Sequence, residues 1–303
     1  MKPPLLALVV LALAGACAHR AAAPPAPRPI RVLLIDGQNN HDWRRTTDSL
    51  RATLLAAGRF EVTVSTTPDK AQPPAVWQAW HPTFAAYDVV VSNYNGEAWP
   101  AAMQDAFVAF VAGGGGAVMV HAANNPFPEW LAFNQMIGLG WRKPDYGERI
   151  TIDDATGAQV RTPKGEGPGS GHGPSHVFDI KVRAPQHPIM RGLPAVWTHG
   201  RDQLSHGQRG PAAHMTVLDS AFSAKEKGGT GEHEPVTWII PYGKGQVVTT
   251  MLGHQWRDQQ DAAALDCMGF RTVFARAVEW AATGAVTLPV PADFPRAAAP
   301  AGP

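Results

Sequence analysis

Apolar residues along the chain fall in short continuous runs separated by helical stripes, a pattern that predicts strands buried between layers of helix. Ile30 to Ile35 is apolar except for Arg31, and Phe60 to Ser65 alternates as Phe-Glu-Val-Thr-Val-Ser. Val89 to Val91 is a third run, ending at Asn93-Tyr94-Asn95, and Ala117 to Val120 is a fourth. Between them, Leu50, Leu54 and Ala57 keep helical spacing after Thr47, a candidate N-cap, and Gly58 stops the stripe. Pro100 suits a first helical turn, and Phe107, Phe110 and Val111 carry that helix on until Gly113 to Gly116 end it in a tight turn. Later, Val236 to Ile240 and Gln246 to Leu252 flank Pro241-Tyr242-Gly243-Lys244-Gly245, a hairpin signature. Phe270, Val273, Phe274, Ala277, Val278 and Ala281 then predict a closing helix. The expected fold class is α/β, a doubly wound and mostly parallel sheet.

Three segments fall outside this pattern. Arg142 to Ser175 is polar and rich in Gly and Pro, including Gly165 to Gly171, and reads as an insertion that can carry short strands such as Ile150 to Asp153. His176 to Val182 resumes a strand. Residues 17–29 read as an Ala/Pro-rich tether and residues 289–303 as a disordered tail, leaving 30–288 as the folded domain. At the N-terminus, Lys2 precedes Leu5 to Leu13, an apolar stretch shorter than the ~20 residues of a membrane span. Ala14-Gly15-Ala16-Cys17 then predicts a lipoprotein-type signal over residues 1–16, with Cys17 as the lipidated first residue and membrane anchor. Ala14 stands where such signals usually carry leucine, and cleavage after Ala16 by an ordinary signal peptidase is the alternative. The expected location is the bacterial cell envelope. Ala18 rather than Asp after the cysteine favours the periplasm-facing outer membrane, and without lipid the chain would be periplasmic or secreted.

With 303 residues, 45% hydrophobic, the chain can build one sizeable core plus the insertion. Its net charge of +1 and lack of a basic block argue against nucleic acid as a partner. A homo-oligomer is compatible with this composition. Lipid on Cys17 would leave Cys267 without a disulfide partner, as a small core hydrophobe.

The candidate chemistry lies in the histidines. His41, His121 and His254 each follow a predicted strand, and ligands of parallel sheets bind at the carboxyl ends of strands. If these loops converge, three imidazoles suit Zn²⁺ or another divalent transition metal; otherwise each hydrogen-bonds only its own loop. Asn124 and Asn125 follow His121 closely. The stretch Trp197 to His206 mixes aromatic, imidazole and carboxylate groups suited to sugar recognition, against the plainer reading of a structural loop with a capped helix start. Trp43, Trp99, Trp141 and Trp256 also lie in or near predicted loops. No G-x-S-x-G surrounds His121, so no nucleophile elbow is expected there, and Gly113 to Gly116 precede a strand rather than follow one, so no nucleotide cofactor is expected.

Taken in order, several segments resemble the ThuA-like (trehalose-utilisation) family, within the flavodoxin-like, class I glutamine-amidotransferase-like superfold. They are Arg31 to Gly37 with His41, Gly113 to His121, His187 to Pro194 with Trp197, Asp202-Gln203-Leu204, Pro235 to Trp238, Tyr242 to Gly245, and Leu252-Gly253-His254. In that superfold the turn after Ala117 to Val120 would hold a catalytic Cys; His121 there implies that glutamine hydrolysis is lost. Where the family often has Asp-Glu-Leu-Tyr, this chain reads Asp202-Gln203-Leu204-Ser205. The resemblance implies a carbohydrate context. It leads to an enzyme acting on a sugar or keto-glycoside (a hydrolase, lyase or isomerase), with His121, His254 and Asp202 as catalytic candidates. Trp43, Asn124, His206 and Trp256 are the candidates for binding substrate, and His41, His121 and His254 for metal. A non-catalytic carbohydrate-binding lipoprotein using the same pocket is the alternative, and a scaffold that has lost its site is a third reading.

Overall fold

The computed structural model describes residues 28–297, so Cys17 and the proposed signal lie outside the described residues. The first half is β1 (Ile30–Asp36), α1 (Trp43–Ala56), β2 (Phe60–Thr66), α2 (Pro74–Ala79), β3 (Val89–Ser92), α3 (Ala101–Ala112), β4 (Gly116–Val120) and α4 (Leu131–Ile137). The Gly- and Pro-rich segment follows with β5 (Glu148–Ile152), β6 (Gln159–Thr162) and β7 (Gly171–His172). Then come β8 (His176–Val182), β9 (Val196–Asp202), β10 (Ser205–His206), β11 (Arg209–Gly210), β12 (Thr216–Phe222), β13 (His233–Tyr242) and β14 (Gly245–Thr250). The short α5 (Ala263–Asp266) and the long α6 (Met268–Thr283) close the fold.

The main sheet runs β2-β1-β3-β4-β14-β13-β12-β8-β9, with β5, β6 and β11 attached beside β13. From β2 to β14 all pairings are parallel. This is the central sheet the apolar runs predict. Beyond β14 the pairings turn antiparallel, because the tight turn at Gly243 folds β13 back along β14. Strand side chains alternate between faces. Val32 and Leu34 therefore pack with Leu50 and Phe274 on one side, while Leu33 and Ile35 pack with Phe107 and Phe133 on the other.

Several local expectations change. Helix α1 starts at Trp43, not after Thr47; its cap is Asp42, whose carboxylate accepts the Arg45 amide at 3.2 Å. Thr47 is buried inside the helix and donates its hydroxyl to Asp36 at 2.8 Å. Trp197 to Asp202 is strand β9 rather than a loop, and Trp197 is fully buried in the core. Residues 289–297, expected to be a disordered tail, extend the folded domain: Phe294 is buried with its ring centroid 5.5 Å from that of Trp197. The apolar area hidden by one Phe is enough to dock this short Pro-rich segment.

Candidate functional site

Parallel pairing aligns the carboxyl ends of β1, β4 and β14 at one sheet edge, and the loop after each supplies a histidine. His41, His121 and His254 converge there. Their ring centroids are 4.9, 4.9 and 5.1 Å apart, and one ligand atom from each lies within 4.8 Å of the others. All three rings are buried.

Local chemistry places each ring. His121 follows β4 directly, with a left-handed φ of +49°, and opens a 3₁₀ turn through Asn124. That conformation is strained for a residue with a Cβ, by roughly 1–2 kcal/mol, and turns the ring over the end of the sheet. Its Nδ1 donates to the Met251 carbonyl at 2.7 Å. The Nδ1 of His41 donates to the Asn39 side-chain oxygen at 3.0 Å. Both contacts leave Nε2 as the lone-pair nitrogen. The buried Nε2 of His254 has no hydrogen-bond partner. Burial, then the neighbouring imidazoles, push His41 down to about 2 and His254 down to about 3; burial also lowers His121. Three neutral imidazoles with free nitrogens form a donor set suited to a divalent transition metal.

Asp202 holds the His254 loop in place from beneath. Its carboxylate accepts the amides of Gln203 (2.7 Å), Gly253 (2.9 Å) and His254 (3.2 Å), and pairs with His199 Nε2 at 2.8 Å. Gly253 has φ +96°, and a Cβ there would stand 2.9 Å from the Phe270 ring. The His41 and His254 loops are tied together as well: the Asp42 amide donates to the Gln255 carbonyl (2.8 Å) and Arg257 to the Asn39 carbonyl (2.9 Å).

Two of the three histidines border a pocket of about 160 Å³. His41 and His121 line it with Asn40, Asn125, Trp141, His172, Gln203, Ser205 and Trp256. Trp256 stacks on His41, with centroids 4.5 Å apart. Asn40 also borders a second, more polar cleft of about 600 Å³ that includes Trp43, Arg44, Asp69, Lys70 and Glu97.

Of the sequence-derived candidates, His41, His121, His254 and Trp256 meet at one place. Trp43 lies in the adjoining cleft instead. Asn124 does not face the pocket: it is fully buried and its amide donates to Gln208 (2.9 Å) and Leu139 (3.2 Å), so its neighbour Asn125 takes the pocket position. His206 also turns away, toward Ser223 at 3.4 Å, while Ser205 lines the pocket. Asp202 is 1% exposed, which makes it a positioning residue with no surface for a sugar hydroxyl. Trp99 is core, packed against Phe107. Sequence reasoning missed His172, and it named Trp141 only as a loop tryptophan. His172 comes from β7 in the Gly-rich segment, held by the β7–β10 pairing, with Nδ1 donating to the Gly173 carbonyl at 2.8 Å. A lone Gly-His in a Gly-rich stretch gives no periodic signal; only the mixture of His and Trp around that stretch hints at it.

This is an α/β protein whose strand-end elbow carries a histidine, within a buried three-histidine cluster. The chain belongs to the ThuA family: the family's model, described as trehalose utilisation, matches residues 31–281. A thua-like protein from Parabacteroides merdae is 38% identical, with a TM-score of 0.84 over 89% of this chain and 95% of its own. A second, from Bacteroides uniformis, is 16% identical with a TM-score of 0.54 over 87% and 97%, a likeness of fold alone. No curated protein matches.

Proposed function

We propose that His41, His121 and His254 hold a divalent transition metal, Zn²⁺ or a similar ion, and that the pocket acts on a small sugar or keto-glycoside. The convergence of three buried imidazoles with free nitrogens supports this most directly. A neutral buried imidazole with no partner is an uncompensated polar group, and a bound cation is its natural partner. Such an ion supplies Lewis-acid polarisation of a carbonyl or hydroxyl oxygen. The chain's own groups would do the rest. Trp256 and Trp141 would offer aromatic surface to the apolar side of a sugar ring, and Asn40, Asn125 and Gln203 amides to its hydroxyls. His172 Nε2 would carry the proton. Gln203, an amide where the family often has Glu, keeps this wall uncharged. A pocket of about 160 Å³ takes one small unit, and the cleft beyond Asn40, with Trp43, would receive the remainder of a glycoside.

We further propose that Cys17 anchors the chain in a bacterial cell envelope, on the strength of the small residues Ala14 to Ala16 before it. The alternative function, carbohydrate binding without turnover, would use the same aromatic and amide wall. The deciding experiment is elemental analysis of the purified chain beside His121→Ala. Near one equivalent of a transition metal, lost in the variant while the fold persists, supports the metal site. No metal in either protein after reconstitution, together with retained sugar binding, leaves the binding protein.

A further inference from the structure

The cleft of about 600 Å³ beside the histidine pocket carries charges that a neutral glycoside would not use. It opens at the carboxyl ends of β1, β2 and β3, between the loops that hold Asn40, Lys70 and Gly96. In the sheet order β2-β1-β3 the chain leaves β1 toward β2 on one side and passes to β3 on the other. Such a switch point is where open α/β sheets bind ligands. Gln38 makes its floor firm. The Gln38 side chain donates to the Pro68 carbonyl (2.9 Å) and accepts the Glu97 amide (3.0 Å), so one residue ties the three loops together. Gly96 allows that approach, since a Cβ there would collide with the Gln38 side chain.

Three cations line the cleft: Arg44, Lys70 and Arg257. The Arg44 guanidinium carbon lies 4.1 Å from the Trp43 ring centroid, a stack that orients the group while its N–H edge stays available. Arg257 is held on the loop after β1 by the Asn39 carbonyl at 2.9 Å. A fourth cation, Arg142, is buried behind the neighbouring pocket wall, where it donates to the carbonyls of Asn125 (2.6 Å) and Trp141 (2.9 Å). None of the four is paired with a carboxylate among the described residues; the ion pairs lie elsewhere. The cleft has two carboxylates of its own. Glu97 holds the Ala71 amide with both oxygens (3.2 and 3.1 Å), and Asp69 is exposed. A chain with a net charge of only +1 thus gathers unpaired positive charge along one groove.

We propose that this cleft is an anion subsite, which receives a carboxylate or phosphate group carried by the glycoside whose reacting unit lies in the histidine pocket. The sugar reading of that pocket supplies the attached ring; the subsite itself stands on the charges and the switch-point geometry and needs no metal. Asn40 borders both spaces, so a unit in one is continuous with a unit in the other. Arg44 suits the two-oxygen edge of either anion, and Lys70 and Arg257 add charge. Arg142 raises the potential of the shared wall, so acidic glycosides are selected over neutral ones.

The test is a saturation-transfer NMR titration of the full chain, metal-free and with Zn²⁺, using glucuronate, glucose 6-phosphate and glucose. One exposed ion pair contributes up to about fivefold in affinity, so two or three give roughly tenfold. At least one acidic sugar is expected to bind the metal-free chain about tenfold more tightly than glucose, and the better of the two identifies the anion. Arg44→Ala combined with Lys70→Ala, both exposed positions, is expected to remove most of that preference and leave the fold and metal content unchanged. Acidic sugars bound only with Zn²⁺ present, and equally well by the double variant, would make the metal their partner and overturn the subsite while keeping the metal site. A preference that persists in a chain unable to take up metal keeps the subsite and removes the metal site. Equal affinity for all three sugars, or binding of none, overturns the proposal.

Discussion

Asp202→Asn tests how the pocket is supported. The substitution keeps shape but removes the charge that faces His199 and puts an NH₂ where backbone amides now donate. At neutral pH His199 then loses the larger of the two groups, Asp202 and Cys267, that favour its protonated form. Raising a histidine from 6.5 to about 9 corresponds to about 3 kcal/mol of stability at 1.36 kcal/mol per pH unit. The mismatched amides add roughly 1–3 kcal/mol that does not depend on pH. The sign follows from linkage. A raised histidine contributes stability that is complete below its unfolded value of 6.5 and lost as pH rises through about 9. Asp202 is held below its ordinary value by His199 despite burial, so its contribution is present above that value and lost in acid. The destabilisation by Asp202→Asn, measured by urea unfolding, should therefore be largest at about pH 5–6 and shrink toward pH 9–10 by most of that ~3 kcal/mol, Cys267 holding the remainder. A loss of stability that stays constant across that range would refute a charged His199–Asp202 pair.

The depressed histidines give the opposite pH dependence. Unfolded imidazoles take up protons below 6.5, whereas folded His254 does not until about 3, so the metal-free chain loses about 2 kcal/mol through this group between neutral pH and pH 5. His254→Gln should flatten the urea midpoint against pH by that amount; an unchanged slope would show that the ring is solvated. Gly253→Ala places a Cβ at φ +96° and 2.9 Å from the Phe270 ring, with an expected loss of about 2 kcal/mol and weaker metal retention, read by thermal unfolding and metal titration. Phe294→Ala should cost about 3 kcal/mol in chemical unfolding if the segment after Leu288 belongs to the core; a change within about 0.5 kcal/mol would return it to a loose tail.

The central sheet was legible because buried parallel strands must be apolar on both faces, and Ile30–Ile35, Val89–Val91 and Ala117–Val120 have no other use for such runs. The three histidines followed from the same rule, since residues just past parallel strands share an edge whatever their separation in the chain. The antiparallel half was read only in part: His176 to Val182 was legible as β8, whereas β9 and β12 were not, and bulges shift the register of β9 against β8 and of β12 against β13, so their pairing depends on partners far away.

Sequence by itself therefore determined the fold class, the family and which strand ends carry imidazoles. Tertiary structure decided which side chains face the pocket. Asn125 rather than Asn124, and Ser205 rather than His206, point inward because His121 takes φ +49° and because β10 pairs with β7. It also brought in His172 from the Gly-rich segment before β8 and turned Asp202 from a catalytic candidate into the buried anchor of the His254 loop. The physical reason is one of range. Burial and strand order are written in local hydrophobic pattern, whereas the direction of a single side chain in a turn is set by hydrogen bonds and contacts between segments remote in sequence.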